Sequence, residues 1–317
     1  MSIKILGTGS YLPEKIMTNF DFEKIVDTSD EWITKRTGIK RRHYSDGMTN
    51  AQMCVKAAQA ALDDAGITVD DLGGIICASV TNEMQVPSVA CQVQREMGAT
   101  CLAFDVNAAC SGFMFAMKTA TGFIMQDPQK KPILILGSET LSRLMNFEDR
   151  TTCILFGDGA GAAVVGEGDN LKFIELYSIP DTDHSLEIKG INWNIREGEP
   201  KFSYVEMDGK EIYKFATREV PRVAQEALNA TGLEADDVDW VISHQANVRI
   251  IETAAKRLGI PMEKFYVNID DVGNTSAASI PIVMDQMNKK GLLKRGDKVL
   301  IAGFGGGLTS ACALFEW

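Results

Sequence analysis

A chain of 317 residues is larger than one hydrophobic core usually grows, so two packed units or one large two-lobed domain are expected. A hydrophobic fraction of 45%, a charged fraction of 24% and 28 glycines describe a folded α/β protein and exclude collagen-like, coiled-coil and disordered classes. A formal net charge of −11 opposes nonspecific attraction to nucleic acid or anionic membrane, so any anionic partner must meet a local basic patch.

Ile3, Ile5 and Leu6 read as a first strand, with no apolar signal core, and no apolar run approaches the length that crosses a bilayer; the cytoplasm is the expected compartment. Thr28-Ser29-Asp30-Glu31 and Thr49-Asn50-Ala51-Gln52 fit capping boxes, with Gly38 and Gly66 as helix stops. Leu102–Val106 predicts a buried strand, and Cys110–Met125 a helix that is apolar or small on nearly every face and therefore internal. Ile133–Leu136 is a further strand. Gly157-Asp158-Gly159-Ala160-Gly161-Ala162 matches a dinucleotide-binding pattern by letter, but it leads into strand-like Ala163–Val165 rather than a helix, which rules out nicotinamide binding. Trp240–Ser243 and Lys298–Ala302 read as strands, and Ser276–Met287 as a second internal helix.

The chain also repeats itself. Setting residues 57–79 against 223–245 pairs Ala58 with Ala224, Gly66 with Gly232, Asp70 with Asp236 and Ile76 with Ile242, each copy running helix, glycine stop, acidic turn, buried strand. Two copies are too few for a solenoid, so a pseudo-twofold duplication is expected, with halves 1–167 and 168–317.

Seven cysteines are scattered without a C-x-x-C spacing and the three histidines stand alone, so reduced thiols and no metal site are expected. Cys110 lies where a strand meets an internal helix. Helix amides there favour a thiolate and can hold an oxyanion, although a lone cysteine as often fills space. His244 ends a strand in Val241–Asn247, the edge where α/β sites gather, and reads either as a donor or as a hydrogen-bonded structural residue. Asn274, just before the second internal helix, reads as the positional echo of Cys110, either capping the helix or aiming its amide into the same cavity. Gly303–Gly307 is a glycine turn that lets backbone approach closely.

Asp105–Gly112, Ser243–Asn247, Gly273–Ser276 and Phe304–Gly307, with Gly7–Pro13, Asp30–Ile39 and Phe156–Ala162, together resemble β-ketoacyl-acyl-carrier-protein synthase III of the thiolase superfamily, over the whole chain. The resemblance implies a duplicated αβαβα fold and a homodimer. It implies that Cys110 takes an acyl group from an acyl-coenzyme A and passes it to malonyl carrier protein with loss of carbon dioxide, with no permanently bound cofactor. By the same resemblance, the backbone amides of Cys110 and Gly306 hold the acyl oxyanion, His244 and Asn274 donate to the malonyl thioester oxygen, and Phe304 flanks the cavity. Trp32, Arg36, Arg150 and Asn247 would bind coenzyme A. Lys214, Arg249, Lys256 and Arg257 would meet the acyl carrier protein, whose acidity suits a basic face on an acidic chain. Val86 stands where many relatives carry a phenylalanine that reaches the partner subunit's acyl pocket, so a roomier pocket is expected. The other readings are a relative with a different acceptor, a biosynthetic thiolase, which would need a second cysteine where Phe304 and Gly305 stand, a silent carrier-binding module, and a thioester hydrolase.

Overall fold

The computed structural model describes residues 2–189 and 204–317. Among them the strands are β1 (Ser2–Tyr11), β2 (Lys15–Thr18), β3 (Arg41–Tyr44), β4 (Gly74–Ala78), β5 (Leu102–Val106), β6 (Ile133–Glu139), β7 (Gly159–Gly168), β8 (Leu171–Ser178), β9 (Leu186–Ile188), β10 (Val205–Met207), β11 (Trp240–Ser243), β12 (Lys298–Gly305) and β13 (Thr309–Glu316). The α-helices are α1 (Asn19–Phe22), α2 (Asp30–Thr37), α3 (Asn50–Ala65), α4 (Val89–Met97), α5 (Gly112–Gln126), α6 (Gly209–Thr231), α7 (Val248–Leu258), α8 (Ile269–Val272) and α9 (Ser279–Lys289). None of the described helices is long and apolar enough to cross a membrane.

Helix limits follow local chemistry. Thr49 and Gln52 close a capping box on α3, and Gly66 ends it in the left-handed conformation at φ 67°. For α2 the cap is Ser29, one residue later than the capping-box pattern suggests, because Ser29 accepts from the Trp32 amide while the Asp30 amide is held by Glu23.

Two sheets carry the duplication. The first has the order β1-β7-β6-β4-β5, and the second, written from its far edge, β8-β13-β12-β11. In both, the innermost pair is parallel (β4 with β6, β11 with β12), and the next two pairings are antiparallel. The fifth strand of the second sheet is reduced to one parallel bridge between Val241 and Phe265. Between the sheets lie α5 and α9, whose Phe113, Met114, Met117, Ile280, Val283 and Met284 join strand residues of both sheets in one core. α3 and α4 cover the outer face of the first sheet and α6 and α7 that of the second, which makes five layers, αβαβα.

Three local expectations change. Each internal helix begins with a 3-10 turn, Ala109–Ser111 before α5 and Ser276–Ala278 before α9, so Cys110 precedes its helix and the second helix starts at Ser279. The residues that enter these turns, Ala109 and Ser276, sit in the left-handed region at φ 46° and 49°. The equivalent positions are therefore Ala109 with Ser276, Cys110 with Ala277, and Asn107 with Asn274, so Asn274 is not the echo of Cys110. The strand leading to Cys110 is a half-buried sheet edge rather than a buried strand, with Leu102 39% exposed.

Candidate active site

Cys110 sits in its turn on the wall of a cavity of about 1260 Å³. Asn82, Met84, Phe115, Leu144 and Phe156 of the first half line it together with Leu186, Ile188, Val205, Ser276, Gly306 and Gly307 of the second. The turn is pinned from below: the Asn107 side-chain Oδ1 accepts the Ala109 amide at 3.4 Å, and the Ser111 and Thr309 hydroxyls meet at 2.6 Å. The end of β12 presses on it so closely that a Cβ on Gly305 would lie 2.7 Å from the Cys110 nitrogen. Glycine at 305 is thus a requirement of the contact, and it carries Gly306 to the cavity wall.

Burial pushes the Cys110 thiol up to about 12, with the neighbouring Ser276 hydroxyl acting in the opposite direction. Desolvation thus opposes the ionisation that the helix amides favour.

His244 follows β11 and is fixed through its backbone, its amide donating to the Ala302 carbonyl at 2.9 Å. The adjacent Gln245 ties the strand end to α9 and to the Tyr266 carbonyl. The imidazole packs edge-on against Phe304, ring centroids 5.2 Å apart, and both ring nitrogens are buried without a hydrogen-bond partner. Burial alone lowers its pKa to about 3, so the ring is neutral, with one nitrogen a donor and the other an acceptor. Buried polar atoms are nearly always satisfied, so an unpartnered imidazole marks a place where a ligand atom completes the bonding.

Asn274 does both things its position allowed. Its Oδ1 accepts the Ser276 amide at 2.9 Å, an Asx turn matching that of Asn107, while no described residue pairs with its Nδ2. The backbone of Asn274 is clamped between Leu155 and Gly157. His244, Asn274 and Phe304 do not line the open cavity. They are linked to Cys110 by the close contact of β12 and by the two-residue step from Asn274 to Ser276.

The structure also brings in residues that the sequence reading passed over. Glu139, the last residue of β6, is fully buried and held up to about 7 by desolvation. It accepts from the Thr81 hydroxyl at 2.7 Å, the Val80 amide at 3.1 Å and the Ser276 hydroxyl at 3.1 Å. A carboxylate closing the apolar run Ile133–Gly137 was the available signal.

On the surface, Arg36 and Arg150 both lie on the Trp32 ring, their guanidinium carbons 5.0 and 5.4 Å from its centroid. Arg150 also reaches Asp27, and the Asn247 side chain donates to the Arg36 carbonyl at 3.1 Å, so the four residues named for coenzyme A gather in one place. Trp32 packs on a hydrophobic cluster whose Leu141, Phe156 and Val205 also line the cavity. Arg249, Lys256 and Arg257 lie exposed on α7, and Arg257 crosses to the Thr217 carbonyl of α6, one turn from Lys214, which pairs with Glu211. Val86 projects away, 83% exposed, and does not line the cavity of its own chain, although Asn82–Gln85 do.

Known proteins share this fold. The profile of 3-oxoacyl-[acyl-carrier-protein (ACP)] synthase III matches residues 104–179, and that of its C-terminal part residues 228–317. A curated relative, the β-ketoacyl-[acyl-carrier-protein] synthase III of Clostridium acetobutylicum, is 45% identical, the match covering 100% of this chain and 99% of the relative. The crystal structure of 3-oxoacyl-[acyl-carrier-protein] synthase III from Aquifex aeolicus superimposes with a TM-score of 0.92 at 43% identity, covering 99% of this chain and all of that one. A priming β-ketosynthase from the R1128 polyketide biosynthetic pathway has a TM-score of 0.91 at 32% identity, over 99% of this chain and 95% of its own. With its five-layer fold, its whole length matched at this identity and a cysteine at the mouth of an internal helix, the chain belongs to the β-ketoacyl-[acyl-carrier-protein] synthase III family of condensing acyltransferases.

Proposed function

We propose that Cys110 is the nucleophile of the condensation that initiates fatty acid synthesis. The sulfur attacks the carbonyl carbon of a short acyl-coenzyme A, a C–S bond forms, and coenzyme A leaves as its thiol. Decarboxylation of malonyl carrier protein then yields a carbanion that attacks the acyl-Cys110, forming the new C–C bond and releasing the sulfur. The observation that carries this reading is Cys110 on the wall of a large cavity, with the backbone of Gly305 packed against its amide and Gly306 beside it on the same wall. The amides of Cys110 and Gly306 hold the acyl oxyanion, where oriented donors in a dry site have their greatest effect.

The unpartnered nitrogens of His244 and Asn274 supply the second half-reaction. A neutral imidazole carrying its proton on Nε2, and the Asn274 Nδ2, donate to the malonyl thioester oxygen as enolate charge develops, with Phe304 holding the imidazole plane. In this reading half 1–167 delivers the sulfur and half 168–317 the nitrogen donors. Coenzyme A adenine stacks at Trp32 and Arg150, with Arg36 near the phosphates and Asn247 along the pantetheine arm. Lys214, Arg249, Lys256 and Arg257 steer the acidic carrier protein. Val86 reaches the acyl pocket of a second copy in a cytoplasmic homodimer, and its small side chain leaves room for primers beyond acetyl.

The likeness to a priming ketosynthase of polyketide synthesis supports one other reading, in which the acyl group goes to a different acceptor. One experiment separates these. Intact-mass analysis after incubation with acetyl-, butyryl- and branched acyl-coenzyme A should show a single acyl adduct, absent in Cys110→Ala, that malonyl carrier protein removes to give a β-ketoacyl product. No adduct would end the reading. An adduct that malonyl carrier protein leaves untouched favours the other acceptor, and butyryl and branched primers used no better than acetyl would refute the roomier pocket.

A further inference from the structure

We propose that Glu139 is a positioning residue for Asn274: its carboxylate holds the Ser276 hydroxyl, Ser276 holds the Asn274 side chain through its backbone amide, and the Asn274 Nδ2 is thereby aimed for the condensation step. This rests on Asn274 as a donor in that step and adds what orients it.

The chain of contacts is continuous. The Ser276 hydroxyl donates to Glu139 Oε1 at 3.1 Å, and the Ser276 amide donates to Asn274 Oδ1 at 2.9 Å. The Asn274 backbone is fixed separately, its amide donating to the Leu155 carbonyl at 2.9 Å and its carbonyl accepting the Gly157 amide at 3.0 Å. With the backbone held, the freedom left is rotation of the side chain, and the bond from Ser276 to Oδ1 sets it. The carboxamide is planar, so fixing Oδ1 also fixes where Nδ2 points. The direction of the Ser276 N–H therefore decides the aim of the donor. Ser276 sits at φ 49°, a conformation that a residue other than glycine keeps only where its surroundings hold it. The hydroxyl bond to Glu139 supplies such a hold.

Glu139 is in turn anchored by the first half of the chain. Its Oε2 accepts the Thr81 hydroxyl at 2.7 Å, the Val80 amide at 3.1 Å and the Ser79 hydroxyl at 3.3 Å. Thr81 also accepts the Thr140 amide at 2.9 Å, and the Asn50 side chain donates to Ser79 at 2.7 Å and to Thr81 at 3.2 Å. Asn50, Ser79, Thr81 and Thr140 are all buried, so this support is shielded from water. Oε1 carries, besides Ser276, only a long 3.4 Å contact from Val80. The two carboxylate oxygens thus have separate duties: one grips the first half, the other the turn of the second.

Backbone packing brings the partners together. β6 runs so close to the second turn that a Cβ on Gly137 would collide with the Ala277 carbonyl, much as one on Gly305 of β12 would collide with the Cys110 nitrogen. β12 ends on glycine beside the turn that bears the sulfur. β6 ends on a carboxylate beside the turn that bears the amide donor.

The test compares two single-turnover rates of the full chain at about pH 8, where Glu139 is ionised. Loading of Cys110 by acetyl-coenzyme A is read by intact mass, and condensation of the loaded protein with malonyl carrier protein by product formation. Ser276→Ala should lower condensation about tenfold more than loading, with half-saturation by malonyl carrier protein changed by less than about twofold. Ser276→Gly, which suits the positive φ but lacks the hydroxyl, should do the same and keeps the test open where Ser276→Ala does not fold. Glu139→Ala should match them, and Glu139→Gln, which retains one acceptor oxygen, should recover part of the rate. In Asn274→Ala, adding Ser276→Ala should cost less than about a further twofold, because the group it orients is gone. Losses that multiply in the double variant, or wild-type condensation in folded Ser276→Ala and Ser276→Gly, would overturn the positioning role alone; wild-type condensation in Asn274→Ala would overturn the donor reading and the positioning role together.

Discussion

The turns that open the two internal helices share a backbone and differ in their chemistry. Asn107-Ala108-Ala109-Cys110-Ser111 and Asn274-Thr275-Ser276-Ala277-Ala278 each begin with an Asx turn, pass through a left-handed third residue and close a 3-10 bond, Ser111 to Ala108 and Ala278 to Thr275. The first presents a sulfur at its fourth position. The second presents alanine there, and instead offers an amide at its first position and a hydroxyl at its third. The same loop geometry holds different groups at the same pseudo-twofold centre, so the scaffold can be separated from the chemistry by substitution.

The largest effect should come from removing the nitrogen donors. Asn274→Asp keeps the oxygen that holds the Ser276 amide but loses the Nδ2 donor, and His244→Ala removes the imidazole. Each should lower condensation about 10²- to 10³-fold while acyl loading of Cys110 continues, measured by single-turnover product formation against intact mass. Equal loss of both half-reactions would show that the second turn serves the sulfur as well.

Gly305→Ala attacks the first turn instead. Its Cβ, 2.7 Å from the Cys110 nitrogen, must push the turn away, so a fall of about 1–3 kcal/mol in unfolding free energy and about a 10²-fold loss of acylation are expected from denaturant titration and adduct formation. The smallest effect lies outside both turns. Arg249→Glu with Lys256→Glu should weaken use of malonyl carrier protein about tenfold, less at high salt, with acylation by acyl-coenzyme A unchanged.

The fold was legible because the repeat preserves the residues that punctuate it. Gly66 and Gly232 end α3 and α6 in left-handed caps, and Asp71 and Asp237 close equivalent 3-10 turns after them. Cys110, His244 and Asn274 could be singled out because each stands at a junction of elements, Cys110 and Asn274 just before an internal helix and His244 just after a strand. What stayed hidden depends on contacts between distant parts of the chain. Glu139 meets Ser276 across 137 positions, a pairing that no local pattern encodes. The correspondence of Asn107 with Asn274 was masked because matching the turns requires backbone dihedrals, and alanine at 109 carries no sign of a positive φ. The raised thiol pKa escaped for a related reason: a helix start argues for ionisation, whereas the opposing desolvation depends on how tightly β12 and the Ser276–Ala278 turn pack against the Cys110 turn.

The single interior shared by α5 and α9 has a consequence for how this protein comes apart. Phe113 and Met114 from one repeat and Val283 and Met284 from the other belong to one continuous apolar body, so neither repeat owns a separate oily centre. Heating should therefore give one calorimetric transition, and a polypeptide cut after the first repeat would leave α5 with a bare flank and nothing to bury it.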